Sequence, residues 1–401
     1  MNWKIRALAT AAAMTAAMAA QADNSSVTLY GTINADIETV KAEGSTSGAG
    51  NQPNRTRVSQ NSSNIGFRGA EDLGGGLKAI FQVEQGVNID TGTASSSTGT
   101  FATRNSRVGL TGNWGTVFFG NWNTPYKDAT GGLDPFYDVG IASVRRSVLS
   151  TPGANISSSP TGPATAAAAA AAFRRRENNI VQYWTPSASG FSGRIAYEAN
   201  EGRSSTSGAN PSLISVAGFY DNGPIFASLG YEKHKDFLTV AGAAFPFALG
   251  APASSDDKAV ILSFAYSFAK TRIGFVAERL RYSTSGAASG NNADSLDKNN
   301  YFLFASHREG SHIFRATFGK ANDGSCTFTN GANCSTAGLG AKAYAVGYGY
   351  VLSKRTELYA LYTTIRNDAA AQYNLPASLA LGTIAAGADP TGFGAGIRHT
   401  F

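Results

Sequence analysis

The chain has 401 residues, of which only 15 % are charged, with 46 glycines and a formal net charge of +6. That length could supply two or three soluble domains, but no long amphipathic helical pattern runs through it. Short aromatic and β-branched runs separated by Gly, Asn, Asp and Ser do, which is the pattern of an all-β protein, and no basic stretch interleaved with stacking aromatics points to nucleic acid.

The first 22 residues read as a processing segment. Lys4 and Arg6 precede a small apolar stretch, Ala7 to Ala20, and Ala20-Gln21-Ala22 ends it as an A-x-A cleavage site. This predicts a secretory signal cut before Asp23, leaving one domain over 23–401. The apolar stretch is too short for a spanning helix, which needs about 20 residues. Without Lys4 and Arg6 the chain keeps 31 basic and 27 acidic residues, a mild excess. After Ala22 no window approaches a transmembrane helix. A membrane role would therefore demand a closed barrel, because only helices and barrels satisfy their backbone hydrogen bonds in lipid.

The strands then follow in order. Val27, Leu29, Ile33, Ala35 and Ile37 alternate with polar residues over a length that fits a lipid-spanning strand. Ile65 and Phe67, then Leu77, Ala79, Phe81 and Val83, continue the period of two around the turn Glu71 to Gly76. Later come Val260 to Phe268 and Tyr344 to Tyr350. Short turns are expected at 71–76, 112–115, 185–190, 221–224, 268–271, 307–312 and 352–356. Long polar connections are expected near 41–58, 89–102, 122–173, 201–211, 235–257, 284–299, 322–341 and 368–390. Seven turns and eight long loops make sixteen strands, with both chain ends on the short-turn side; this rhythm is that of an outer-membrane barrel. Tyr30, Tyr183, Trp184, Tyr231, Tyr282, Tyr348, Tyr350 and Tyr362 lie near strand ends and are expected to form interfacial girdles.

No catalytic constellation emerges, and no cofactor or metal is expected. His307 and His312 flank a turn with Glu309 between them, but a five-residue spacing across a turn is not a metal-ligand pattern, and they read as solvated turn residues. Gly74-Gly75-Gly76 lacks the Lys-Ser/Thr of a phosphate-binding loop. Cys326 and Cys334, the only cysteines, lie in a polar stretch of an exported chain, where a loop-closing disulfide is expected over two free thiols.

At several points the chain resembles the general porins of Gram-negative bacteria, of the trimeric sixteen-stranded type common in β-proteobacteria. Ser26-Val27-Thr28-Leu29-Tyr30-Gly31 is similar to the opening strand of that family. Ile65-Gly66-Phe67-Arg68-Gly69, Glu71-Asp72-Leu73-Gly74 and Gly76-Leu77-Lys78-Ala79 are similar to its second hairpin. Arg107 to Leu110 with Gly115 to Val117 is similar to the next. Asn179 to Tyr183 with Thr185-Pro186 is similar to the strand after the constriction loop, and Gly396 to Phe401 to the last strand. The sequence departs from the family where Asn64 and Asn121 stand in place of arginines, and in Ala166 to Ala172, which reads as an insertion.

The resemblance implies a transmembrane antiparallel β-barrel of about sixteen strands, localised to the outer membrane. It also implies a homotrimer, surrounded by outer-membrane lipid and lipopolysaccharide, that passes small ions and hydrophilic solutes. Phe401, with His399 and Ile397, would be the signal read by the barrel-assembly machinery. The third long connection, 122–173, would fold inward as the constriction, carrying Asp128, Asp134 and Asp138 with Lys127, Arg145 and Arg146. A barrel of this size otherwise leaves a wide aqueous channel. The facing wall would supply Arg104, Arg107, Arg174 and Arg176, with Arg57 and Arg68 as further candidates. If Val181 and Tyr183 face lipid, alternation places Arg176, Asn178 and Gln182 in the lumen. Passive diffusion with a preference for anions is the expected function; a substrate-specific channel and an outer-membrane adhesin are the alternatives.

Overall fold

The inside-out pattern of the first strand dictates the architecture. In β1 (Ser26–Glu43), Val27 and Leu29 are 65 % and 52 % exposed, whereas Asp36 and Glu38 farther along are 3 % and 1 % exposed. A water-soluble sheet would bury the aliphatic face; here the polar face is enclosed, as lipid on the outside requires.

The computed structural model of the chain describes residues 26–47, 50–94, 101–153, 172–199, 201–203, 205, 208–240, 254–285, 293–328, 334–376 and 381–401. The expected export signal and most of Ala166 to Ala172 lie outside the described residues. β2 runs in two pieces, Gln52–Gln60 and Asn64–Gly74, both paired to β1. Then come β3 (Leu77–Asn88), β4 (Ser106–Gly112), β5 (Gly115–Asn123), β6 (Arg176–Trp184), β7 (Phe191–Glu198) and β8 (Ser212–Asn222). The second half holds β9 (Ile225–Lys235), β10 (Ser254–Phe268), β11 (Thr271–Ser285), β12 (Ala293–Glu309), β13 (His312–Ala321), β14 (Ala341–Val351), β15 (Thr356–Asn367) and β16 (Asp389–Thr400). Every neighbour pairs antiparallel, and β16 returns to β1 with Thr32 opposite Thr400. The result is a closed barrel of 16 strands. Two short extended pieces, Thr93–Ala94 and Ser325–Phe328, prolong the sheet at β3 and β12.

The seven tight turns and eight longer connections fall where the sequence rhythm places them. The strands around the first loop reach farther than expected, β1 ending at Glu43 and β2 beginning at Gln52, and the third connection spans 124–175, shifted by two residues from the expected 122–173. Cys326 and Cys334 form a disulfide in the seventh connection. The girdle expectation needs correction. Tyr231, Tyr348, Tyr350 and Tyr362 are exposed on the outer face, but Tyr30 points inward and donates to Glu84, Tyr282 is 1 % exposed in the interior and Trp184 packs inward against Phe118 and Trp122. Aromatic residues near strand ends mark an interface only on the outward-facing parity.

Candidate functional site

The third connection begins with α1 (Pro125–Gly131), whose sequence explains its start. Thr124 caps it by accepting from the Lys127 N–H at 3.4 Å, Pro125 occupies the first turn, and Asp128 follows there. A second short helix, α2 (Val144–Val148), follows.

Both helices lie against the polar-facing side of the distal strands. Tyr126 Oη donates to Glu278 Oε1 of β11 at 2.7 Å, and Ser228 of β9 and Ser263 of β10 both donate to the Ala129 carbonyl. Ser150 donates to Glu278 through N–H and Oγ. Tyr137 bridges Arg315 of β13 and Glu357 of β15 at 2.8 and 2.6 Å. Lys298 of β12 donates to the carbonyls of Pro152 and Leu339 and to Tyr373 Oη, each at 2.9 Å, tying three connections together. Ile141, Val144, Val148 and Leu149 enter one apolar cluster with Val40, Phe302 and Ile365. Glycine makes the berth: a Cβ at Gly319 would stand 2.5 Å from Val148 Cγ2, and one at Gly347 the same distance from Phe136 Cε1.

The opposite side of the segment carries charge. Asp138 lies 2.6 Å from Arg145, 3.7 Å from Arg174 and 4.0 Å from Arg146. Asp128 pairs with Arg194 of β7 at 2.5 Å and accepts from Asn123. Asp134 accepts from Ser143 and from the Phe136 N–H, which is turn chemistry. Arg104 pairs with Glu84 at 2.5 Å, and Arg176 Nε donates to Asn105 Oδ1 at 2.7 Å. Asn121, where the family resemblance leads one to expect arginine, donates to the carbonyls of Ala102 and Arg104 and so fixes the chain that bears Arg104. Arg57 is engaged by Glu38, and Arg68 lies over the Tyr30 ring.

Arg107 is held differently. Its guanidinium stands 4.7, 4.4 and 4.9 Å from the ring centres of Phe118, Trp122 and Trp184. Arg194 shares the Trp184 ring from 4.3 Å. The Arg107 Nε and Nη1 atoms are buried without a hydrogen-bond partner, so cation–π attraction takes the place of an ion pair. Sequence reading missed Arg194 and this aromatic cage. The only signal was the parity of Arg194, which is that of the enclosed Ala196 and opposite to that of the outward Ile195 and Tyr197.

Alternation along β6 is interrupted. Gln182 and Ile180 face inward, but a register shift between Gly120 and Trp122, with Asn179 at φ 53°, gives the next enclosed position to Glu177, which is paired with Arg175. Arg176 and Arg174 reach the charged layer from the strand end and the loop.

Electrostatics in the loop follow from this crowding. Burial and the neighbouring Asp138 charge push the Asp134 carboxyl up to about 6. Burial also pushes Asp138 up, but Arg145, Arg174 and Arg146 outweigh it and hold it below the usual carboxylate range. Burial, then Arg176 and Arg174, push the Lys127 ammonium well below its ordinary value.

Known proteins share this arrangement of strands. The family described as Gram-negative porin matches residues 9–370. The chain is 30 % identical to outer membrane porin protein 32 of Delftia acidovorans over 100 % of both chains. It is also 30 % identical to an outer membrane porin protein of Bordetella pertussis over 96 % of each. Among solved structures, the anion-selective porin from Comamonas acidovorans is similar with a TM-score of 0.71 at 26 % identity, covering 94 % of this chain and 100 % of that one. A loop-deleted OmpT of Vibrio cholerae, at 15 % identity and a TM-score of 0.63, covers 94 % of this chain and 100 % of its own, and shares the fold. With the closed barrel, its enclosed polar face and these relatives together, the chain belongs to the Gram-negative porin family and is an outer-membrane porin.

Proposed function

We propose that this porin is a passive channel for small hydrophilic solutes, without catalytic activity, that favours anions and is narrowed by the segment 124–153. The observation that carries the reading is the composition of the charged layer. Arg104, Arg107, Arg174, Arg176 and Arg194 meet Arg145 and Arg146, against Glu84, Asp128, Asp134 and Asp138. Seven guanidinium groups against four carboxylates leave a positive field, and basic rings favour anions. The likeness to an anion-selective porin supports the same preference. Within this proposal, 1–22 is the export signal and the assembled form is a homotrimer. Ile397 and Phe401, 45 % and 37 % exposed at the closing strand, together with His399, present the assembly signal.

Planar-bilayer recording tests the channel. The expected result is a large ohmic conductance with a zero-current potential of anionic sign in a KCl gradient. A cationic sign overturns the preference, and no conductance from folded protein overturns the channel. The Arg107 cage favours a second reading, a solute-specific channel. A guanidinium held among three aromatic rings suits an aromatic anion, and saturable block of the current by benzoate would distinguish that reading.

A further inference from the structure

Arg107 and Arg194 stand on the same stretch of lumen wall, and both are held by ring faces. Arg107 of β4 has its Nε and Nη1 buried without a hydrogen-bond partner, and Phe118 and Trp122 of β5 and Trp184 of β6 surround its guanidinium. Those three rings pack edge to face, with centres 5.1, 5.2 and 5.9 Å apart, an arrangement that aromatic quadrupoles favour. Arg194 of β7 stands directly opposite Trp184 in the sheet. It lies 4.3 Å from the Trp184 ring centre and 4.8 Å from that of Phe219, on the neighbouring strand to the other side, β8. Rings and guanidinium groups thus share five neighbouring strands, and among the described residues Trp184 is the ring that serves both cations.

Trp184 is itself fixed. Its Nε1–H donates to Gln182 Oε1 at 3.0 Å, and Gln182 Nε2 donates to the Asn123 carbonyl at 2.8 Å. Asn123 Nδ2 donates to Asp128 Oδ1 at 3.3 Å, and Asp128 Oδ2 takes the ion pair with Arg194 at 2.5 Å. The circuit returns through Arg194 to the Trp184 ring, joining the wall to α1, and a satisfied network of this kind rigidifies its members.

We propose that Trp184, with Phe219 on the other side of Arg194, is a positioning residue for ion preference. Its ring holds the Arg107 and Arg194 guanidinium groups at the lumen surface without adding the negative charge that an ion-pair partner would bring. A carboxylate beside Arg107 would hold it but cancel its charge. A ring face attracts a cation through its quadrupole and carries no net charge, so the local field stays positive. The Arg194 side chain is 29 % exposed and Arg107 is also partly exposed, so both act on passing ions. An uncharged side chain therefore sets part of the anion preference, and in this the inference rests on the anion-preferring reading of the charged layer.

The test is the zero-current potential in a KCl gradient for the full-length native channel, Trp184→Leu and Trp184→Phe, with thermal unfolding as the check on folding. Leucine removes the ring, whereas phenylalanine keeps a ring face and removes the N–H. Trp184→Leu is expected to lower the anion-to-cation permeability ratio about threefold, and Trp184→Phe to restore most of it, with conductance retained in both. In a channel already carrying Arg107→Gln and Arg194→Gln, Trp184→Leu is expected to change nothing further, because it acts through those two cations. A folded Trp184→Leu channel with the native ratio would overturn the proposal. So would an equal shift from leucine and phenylalanine, or an undiminished effect of Trp184→Leu once both arginines are gone. Where Trp184→Leu does not fold, Phe219→Leu strips the other ring from Arg194, and a native ratio there overturns the proposal too. The quantity read is a change between variants, so a native channel of cationic sign would sink the anion reading and leave this test standing.

Discussion

On one flank of the segment 124–153, Ile141, Val144 and Val148 pack into an apolar cluster with β1 and the distal strands, and Tyr126, Ser150 and Lys298 make neutral or fully satisfied contacts. On the other flank, Asp138 holds the buried Arg145 and Arg174 together with Arg146 at the rim, and Asp128 meets Arg194 of β7 in a partly exposed ion pair. The contrast separates two tasks. Packing and buried hydrogen bonds are strong and short-ranged, so they fix where the segment lies. Charges at a wet surface contribute little to stability but act on ions passing several ångströms away. Stability and selectivity should therefore respond to different substitutions.

Breaking the packed flank gives the largest expected effect. Lys298→Met strands the carbonyls of Pro152 and Leu339 and the Tyr373 hydroxyl. Each buried group left unsatisfied costs about 1–3 kcal/mol, so thermal unfolding should shift down sharply and single-channel current should become noisy. Gly319→Leu comes next. Overpacking against Val148 should cost about 1–3 kcal/mol and displace α2, seen as an altered conductance with the ion preference kept. A Gly319→Leu channel of native conductance would mean that α2 does not line the narrow section.

The charged flank should show the converse. Arg176→Glu is expected to leave thermal stability nearly unchanged. A unit charge within about 4 Å in water is worth ~1 kcal/mol and the reversal changes the charge by two units, so the anion-to-cation permeability ratio should fall by more than about tenfold. Acidity sharpens the same point. Asp134, raised to about 6 from 3.8, is protonated in the folded chain over a range where the unfolded chain is ionised. Its contribution to stability is therefore present at low pH and is lost as pH rises through about 6. Below that pH the layer loses one negative charge, so anion preference should rise; recordings at pH 5 and pH 7 that give the same permeability ratio would remove Asp134 from the ion path.

The sequence carried the barrel far better than the site. Alternation in β1, the rhythm of short and long connections and the closing strand up to Phe401 are properties of backbone period and turn chemistry, both written locally. The site depends on where inward residues from distant strands meet. Asp128, Asp138, Arg145 and Arg146 could be named from the loop alone, but Arg194 meets Asp128 across 66 positions of chain, and only the closed sheet brings them together. The bulge at Asn179 is equally silent, since Asn adopts positive φ without altering the hydrophobic pattern. Tyr282 and Trp184 were misplaced because an aromatic residue near a strand end looks the same whether it faces lipid or the interior.

The central claim is that the positive layer between the segment 124–153 and the proximal wall sets ion preference. The zero-current potential of the double variant Arg104→Glu/Arg176→Glu, beside the native channel in the same KCl gradient, tests it most directly. The account predicts an anionic potential for the native protein and a potential shifted toward, or past, zero to the cationic side for the variant, with conductance and unfolding temperature retained. An unchanged potential in a folded, conducting variant would contradict it.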